Sequence, residues 1–455
     1  MDEQKSVIQG KKVAFYTLGC KVNAYETQAI RRTLEEKGAV IAREDEEADI
    51  YVVNTCSVTG IADKKSRQTV HHVMKLSEDA LVIVTGCYAQ SSGGADLAGS
   101  DRAVVIGSNS KDEIVNAIEA WFEDGKCDTR ITDLFKDKRY MDLKIDGFND
   151  KTRAFIKVED GCNQFCTFCI IPFTRGRVRS RSIEDTVEEI EELARNGYKE
   201  VVLTGIHLSS YGRENYEKKE EFPYGPLLEL IKRSASVEGI ERVRLGSLEP
   251  RIITKDFAEE LAGIKEFCPQ FHLSLQSGCN SVLKRMNRHY SIEDYTERVN
   301  ILREVFDRPA ITTDIIAGFP GETEEEFEIS FKNLEAIGFA KMHVFRYSKR
   351  KGTPAATMKD QVPPQKSAER SDRLIELDTR MHAEYLGSFL GEVQKVLVER
   401  VIDKDGKKVA KGLTTRYMDV EAVVMGEVPE ENSFINVRFE GVSDDGILLG
   451  TAPYT

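Results

Sequence analysis

The feature that most constrains this chain is Cys162-Asn-Gln-Phe-Cys166-Thr-Phe-Cys169, set directly after the strand-like run Ala154–Val158. Three thiolates within eight residues can converge on one face of a cubane iron–sulfur cluster from a single loop. Three ligands leave one iron open to a substrate or cofactor, as a catalytic metal site keeps an open position. A structural zinc loop is the plain alternative, but zinc sites usually pair two CxxC elements, and no second pair follows here. The cysteine loop opens a series of strand-like runs: Ala154–Val158, Glu200–Leu203, Arg242–Leu245, Phe271–Leu275, Ile311–Ile316 and Lys341–Tyr347. Amphipathic helical patterns follow most of them, among them Ile183–Arg195, Tyr295–Phe306 and Glu324–Ile337. Six such units predict a (βα)6 partial barrel over residues 150–385, with its active site at the strands' C-terminal ends. The helical run Pro364–Leu390 closes this unit.

Three more cysteines stand out by position. Cys20 ends the strand pattern FYTLGC, Cys56 ends YVVNTC and Cys87 ends VIVTGC. The runs Val13–Leu18, Ile50–Asn54, Leu81–Thr85 and Ala103–Ile106 alternate with helical patterns at Tyr25–Lys37, Ala62–Leu76 and Lys111–Glu123. Short apolar strands separated by helices predict an open parallel α/β sheet over residues 10–135. In such a sheet the three cysteines emerge on one edge, where these folds bind ligands. A single strand-end cysteine is more often a small buried hydrophobe. Three at equivalent ends, 36 and 31 residues apart, point to a second cluster with three protein ligands. Cys127, Cys268 and Cys279 have no partners at useful spacing and read as packing residues. The charged stretch Lys136–Asp150 reads as a linker.

From residue 386 to 455 the pattern changes to short β segments, Val393–Glu399, Val420–Val424, Phe434–Phe439 and Gly446–Gly450, with turns at Asp405-Gly406 and Asp445-Gly446. This predicts a small antiparallel β-barrel. The whole is an α/β multidomain chain, consistent with 455 residues and a norm of roughly 150 per domain. Nine cysteines, an odd number, argue against a disulfide framework. No run of about 20 apolar residues is present, so no membrane span is expected. The segment MDEQKSVIQGKK has no apolar core of a secretory signal, and the expected location is the cytoplasm.

A net charge of −13 and a pI near 5.3 argue against nonspecific coating of nucleic acid but leave room for a local basic patch. Arg175, Arg177, Arg179 and Arg181 alternate after the cysteine loop, and in an extended segment they would point to one side and suit phosphate contacts. Their plain reading is pairing with carboxylates of the protein or of a cofactor. Residues 400–416 hold six Lys or Arg, including Lys407, Lys408, Lys411 and Arg416, against Asp403 and Asp405. With Tyr417 beside them they suit RNA by attraction and stacking. Residues 391–455 as a whole hold twelve carboxylates against eight basic residues, so binding there would be one-faced. In GFPGETEEEF, Thr323 and Glu326 form a capping-box pattern and the carboxylates read as a helix N-terminus. The adjacent pair His71-His72 has poor metal geometry and reads as surface or packing.

The C-x3-C-x2-C loop resembles the radical S-adenosylmethionine superfamily, and the whole chain resembles its methylthiotransferases. The resemblance rests on TLGCKVN (17–23), NTCSV (54–58), GCYAQ (86–90), the radical motif with RGRVRSR (175–181), and GFPGET (318–323). KGLTTRYMDV (411–420) resembles the TRAM module, an RNA-binding β-barrel. The six cysteines match position by position and are implied to hold two [4Fe-4S] clusters. The resemblance further implies that the central cluster's open iron binds S-adenosylmethionine and cleaves it to a 5′-deoxyadenosyl radical. Gly205, in LTGIHLSSYG, sits where the family binds the cofactor's methionine, and Gln276, in LSLQSG, is placed to face the site; otherwise they are a turn and a barrel-rim residue. No catalytic residue beyond the cluster ligands is implied. TLGCKVN is similar to the branch that modifies N6-threonylcarbamoyladenosine beside the tRNA anticodon. Relatives acting on isopentenyladenosine tend to read TYGCQMN, and those acting on a ribosomal-protein aspartate SLGCPKN. The implied reaction adds a methylthio group at adenine C2, consuming one S-adenosylmethionine for the methyl group and a second for the radical. A tRNA substrate and a low-potential electron donor such as flavodoxin or ferredoxin are implied. Two readings compete: the same chemistry on isopentenyladenosine or a protein side chain, and a non-catalytic RNA-binding protein with a structural metal.

Overall fold

Strands with apolar residues at consecutive positions must be covered on both faces, and the first sheet follows that rule. The computed structural model describes residues 6–94, 100–147, 152–215 and 224–453. Its first five strands are β1 (Lys12–Thr17), β2 (Val40–Ile41), β3 (Ile50–Thr55), β4 (Leu81–Gly86) and β5 (Ala103–Val105). They form one parallel sheet in the order β2-β1-β3-β4-β5. Every residue of β3 and β4 is buried. Ile50, Val52, Leu81 and Ile83 pack to one side, and Tyr51, Val53, Val82 and Val84 to the other. The register pairs Thr17 with Asn54, Asn54 with Thr85, and Thr55 with Gly86, which levels the three strand ends that precede Cys20, Cys56 and Cys87. The two-residue β2 is too short for a period-2 pattern and was not expected. The helix expected over Lys111–Glu123 is one 3₁₀ turn, Lys111–Glu113, running into an α-helix, Ile114–Asp124.

The stretch from Lys136 is a packed strap rather than a loose linker as far as Gly147; its end at Asp150 lies outside the described residues. Met141 and Ile145 are buried, and the Tyr140 hydroxyl donates to the Lys157 carbonyl at 2.7 Å. Next come β6 (Arg153–Lys157), the short antiparallel pair β7 (Glu159–Asp160) and β8 (Arg179–Ser180), and β9 (Glu200–Thr204). They are followed by β10 (Arg242–Leu245), β11 (Gln270–His272), β12 (Ala310–Ala317) and β13 (Lys341–Arg346). The parallel triples β10-β9-β6 and β11-β12-β13 are joined by bridges Val243 to Phe267 and Leu248 to Leu273, giving the expected six-stranded arc. The pair β7–β8 brackets the cysteine loop at its base. Thr323 and Glu326 make the expected capping box of helix Glu324–Ile337. The carboxylates around it are structural: Glu322 pairs with Arg370 at 2.8 Å, and Glu326 with Arg285 at 2.5 Å.

Helix Pro364–Gly387 leads into a closed barrel of β14 (Val393–Lys404), β15 (Lys407–Leu413), β16 (Asp419–Val424), β17 (Phe434–Val442) and β18 (Leu448–Ala452). Two features depart from expectation. The basic run after Asp405-Gly406 is itself a strand, β15, paired with β14. One pair, β16–β18, is parallel, so the barrel is mostly rather than wholly antiparallel. The barrel sits on the central arc through buried guanidinia: Arg242 Nη1 donates to the Leu413 carbonyl at 2.9 Å and Arg244 Nη1 to Thr415 at 2.8 Å. His71 and His72 are exposed, while Cys268 and Cys279 are buried. Among the described residues no helix is long and apolar enough to cross a membrane.

Candidate functional site: two cysteine trios at one seam

Cys20 is the N-cap of helix Lys21–Glu36, Cys56 follows β3, and Cys87 opens the short helix Cys87–Ser92. The glycine before two of them is required by close approach. A side chain at Gly19 (φ +102°) would place its Cβ 2.8 Å from Cys56 Sγ, and one at Gly86 (φ +93°) would stand 2.4 Å from the Thr55 carbonyl oxygen. Asn23 ties the tips together, its side-chain amide donating to the carbonyls of Leu18 (2.7 Å) and Thr55 (3.0 Å). Burial pushes the Cys56 thiol up to about 11, with the neighbouring Cys87 and Cys20 adding to the rise. Cys20 is the exposed member of this trio, within reach of the Arg175 charge.

The second trio is held by its own loop and by the far side of the arc. Cys162 N donates to the Gly176 carbonyl at 3.0 Å and Thr167 N to that of Met286 at 3.0 Å. The Asn287 side chain donates to the carbonyls of Gln164 (3.2 Å) and Phe165 (3.1 Å). Arg288 Nη1 donates to Cys166 Sγ at 3.3 Å, and its remaining donors go to the Ser274 carbonyl (2.9 Å) and the Tyr290 hydroxyl (2.7 Å). Burial pushes the Cys169 thiol up to about 12; Cys166 adds to this, and Cys87 contributes from the other trio. Arg175, on the segment that leaves this loop, reaches Cys87 Sγ at 3.4 Å, which brings the two trios to one seam.

Whether the residues fit iron–sulfur clusters can be tested on charge. Glu26 and Asp160 are fully buried among Lys111, Lys157, Arg175 and Arg179. With the neighbouring buried Glu159, on which the Arg179 charge also acts, four buried cations face three carboxylates, and unbalanced buried charge is costly. Cysteine sulfur is also within reach: Arg175 Nε lies 3.4 Å from Cys87 Sγ, and its charge acts on Cys20 and Cys56. Arg288 likewise has no carboxylate among its hydrogen-bond partners, only Cys166 and neutral groups. A cationic donor thus stands at one cysteine of each trio, which suits sulfur held as thiolate by a cluster. Among the described residues no group of His, Cys, Asp or Glu converges on a single metal ion. A four-iron cluster takes one thiolate per iron, so its ligands stand farther apart than those of one ion.

Comparison with known proteins bears on the same two regions. Residues 156–334 match the radical SAM superfamily, and residues 12–107 match an uncharacterized family, UPF0004. The chain is 40% identical to the threonylcarbamoyladenosine tRNA methylthiotransferase MtaB of Bacillus subtilis over 90% of its length and 89% of the relative's. It is 36% identical to the MtaB of Aquifex aeolicus over 90% of its length and 96% of the relative's. The chain belongs to the radical S-adenosylmethionine methylthiotransferases. A tRNA-2-methylthio-N(6)-dimethylallyladenosine synthase of Protochlamydia amoebophila is 34% identical, covering 90% of each chain. The fold is shared with the radical S-adenosylmethionine methyltransferase TsrM of Kitasatospora setae at TM-score 0.56 and 16% identity, covering 76% of this chain and 77% of that one. As in its family, the enzyme's cofactors are S-adenosylmethionine and two [4Fe-4S] clusters.

The enzyme's other expected site residues divide sharply. Gly205 sits where a Cβ would meet the Glu159 carboxylate at 2.6 Å. Gln276 (φ +76°) is pinned to β12, its N–H donating to the Asp314 carbonyl and its own carbonyl accepting from Ile316, both at 2.9 Å. Sequence reasoning missed two neighbours. Glu159 accepts from His207 N at 2.7 Å while its Oε1 is buried without a partner, and His207 Nε2 is buried without one too. Burial pushes His207 down to about 4, so the ring is neutral at pH 7. The signal for Glu159 was its place three residues before Cys162; Arg288 had no local signal at all.

The arginine alternation is corrected by the structure. Arg175 ends a helical turn, Ile171–Arg175, and Gly176 (φ +76°) then redirects the chain, so a two-residue period does not hold. Arg175, Arg179 and Arg181 are buried; Arg181 pairs with Glu189 and with Asp142 at 2.9 Å. Only Arg177 is exposed, lying over the Phe165 ring at 4.7 Å. In the barrel, Arg416 and Tyr417 are docking residues rather than a free RNA face. Arg416 donates to the carbonyls of Asp307 (2.7 Å) and Arg308 (3.0 Å), and Tyr417 stacks under Arg244 at 4.5 Å. Lys408 pairs with Asp403 at 3.0 Å and Lys411 with Glu421 at 2.6 Å.

Proposed function

We propose that the enzyme adds a methylthio group to adenine C2 of N6-threonylcarbamoyladenosine in tRNA, giving 2-methylthio-N6-threonylcarbamoyladenosine. The observation that carries this reading is that Arg175, on the segment that leaves the Cys162–Cys169 loop, reaches Cys87 Sγ at 3.4 Å, so that the two cysteine trios share one seam. Cys162, Cys166 and Cys169 would hold one cluster, and Cys20, Cys56 and Cys87 the other. When bound, the clusters and S-adenosylmethionine supply radical initiation at the first trio and the sulfur and methyl group at the second. The chain's own part is to bind, orient and exclude water. Arg288 holds Cys166 and keeps that loop on the arc. Gly205, packed against Glu159, and Gln276 are the residues we assign to S-adenosylmethionine at the strand ends, with Glu159 and His207 offering unpartnered polar atoms there.

The substrate base would enter between the trios. Exposed Arg177 and the β15 lysines Lys407, Lys408 and Lys411 are the contacts we assign to the RNA backbone; the Lys408–Asp403 bridge is a surface pair of small strength, while Lys411 would have to leave a partly buried pair with Glu421. The three units, residues 10–135, 150–385 and 386–455, then serve sulfur, radical and RNA in that order. The electron for radical initiation comes from a low-potential carrier of the flavodoxin or ferredoxin class, and the work is done in the cytoplasm. The relatives named for threonylcarbamoyladenosine are 36–40% identical, against 34% for those named for dimethylallyladenosine, which favours the former substrate. Mass analysis of tRNA nucleosides from cells with and without the gene tests this. The methylthio-threonylcarbamoyl nucleoside should disappear on deletion and return on complementation. Loss of the methylthio-isopentenyl nucleoside in its place would assign the enzyme to the other substrate.

A further inference from the structure

Arg175 leaves the cysteine loop of the central arc but does not serve that loop's trio. It is fully buried, and its donors all reach across the seam or back into the loop base. Nη1 and Nη2 bind the Glu26 carboxylate at 2.7 and 3.1 Å, Nη2 binds the Asn23 side-chain oxygen at 2.5 Å, Nη1 meets Asp160 at 3.2 Å, and Nε is left for Cys87 Sγ at 3.4 Å. Asn23 is the residue that ties the Cys20 and Cys56 tips together. The guanidinium is planar, so carboxylates that fix two of its edges also fix the direction of the third donor. Its aim at Cys87 is therefore set by Glu26 and Asp160. Arg288 does the corresponding work at Cys166, held by neutral groups alone.

We propose that Arg175 is a positioning residue for the N-terminal cluster: a fixed cationic donor to the Cys87 sulfur that stabilises added negative charge there and ties that cluster to the loop of the radical site. Hydrogen bonds and positive charge at cluster sulfurs raise the reduction potential. The surplus of cations around Glu26 and Asp160 acts in the same direction. The two clusters thus have separate guanidinia, each of which tunes its own site. This rests on the assignment of Cys20, Cys56 and Cys87 as cluster ligands.

The test uses the full chain with Cys162, Cys166 and Cys169 changed to Ala, reconstituted anaerobically, so that one site alone can be loaded. The parent of this series should hold about four irons per chain; absence of iron would overturn the cluster assignment and this proposal with it. In a redox titration followed by electron paramagnetic resonance, Arg175→Gln should shift the midpoint to more negative potential. Arg175→Lys, which keeps the charge, should stay nearer the parent, and Arg288→Gln should leave this midpoint where it was. Full iron with a parental midpoint in Arg175→Gln would overturn the proposal, leaving the cluster assignment intact. Loss of iron in Arg175→Gln with retention in Arg175→Lys would support it, since charge is what differs. Loss in both variants would overturn it in favour of a purely structural clamp.

Discussion

A Cys56→Ala enzyme, loaded anaerobically, should still cleave S-adenosylmethionine and should return tRNA with no methylthio group, whereas Cys162→Ala should lose cleavage altogether. The separation follows from what holds each trio. Cys56 hydrogen-bonds through its backbone to Ser66 and lies among the N-terminal strand tips. The loop from Cys162 to Cys169 is anchored by Met286, Arg285, Asn287, Arg288 and Ala355, all from the central arc. Removing one small thiol from the first set therefore leaves the second in place. Counting 5′-deoxyadenosine and methylthiolated nucleoside in the same assay checks both halves. Loss of cleavage in Cys56→Ala would mean that the two sites are not separable.

Glu26→Gln should destabilise the protein by about 3–5 kcal/mol, the usual cost of removing one partner from a buried charge pair. Glu26 comes from the first helix of the N-terminal unit, and its carboxylate is shared by Lys111 (3.1 Å), Lys157 (2.9 Å) and Arg175 (2.7 Å). Two of those three belong to the central arc, so the loss falls on the seam. A pH dependence accompanies it. Burial pushes the Glu26 carboxyl up, but Arg175, Lys111 and Lys157 outweigh burial and hold it well below its ordinary 4.5. Asp160 is held at about 2 against an ordinary 3.8, Lys157, Arg175 and Arg179 together outweighing its burial. Carboxylates with depressed folded values stabilise above their unfolded values and lose that contribution as pH falls. The seam should therefore weaken progressively below about pH 4.5. Denaturation midpoints measured from pH 7 down to 3 should fall in the parent and fall less in Glu26→Gln, which has already lost its share. Equal midpoints for the two proteins at pH 7 would refute the pairing.

How much of this could be read from the sequence depended on whether the partners were local. The strand tips were legible because β1, β3 and β4 are short apolar runs of similar length, so Cys20, Cys56 and Cys87 fall level without further information. The Thr323–Glu326 capping box was legible for the same reason: all its atoms lie within one turn. The arginines were not. Arg175 and Arg181 look like a basic stripe until Glu26 and Glu189 are brought against them by tertiary packing. Glu26 lies on the helix Lys21–Glu36 of the N-terminal unit, far upstream. Arg416 and Tyr417 failed in the same way, since their partners Asp307 and Arg244 lie on the arc. Strand β15 was hidden because lysines occupy positions where alternation would have shown apolar residues. The candidate site's sulfur was thus visible from spacing, while its electrostatic frame was visible only in the fold.

The division of labour between the two trios is tested most directly by metal analysis of the anaerobically purified enzyme and of the two triple Cys→Ala variants. The expected result is about eight irons with matching sulfide in the parent and about four in each variant. Bound zinc without iron, or full iron surviving removal of Cys20, Cys56 and Cys87, would contradict it.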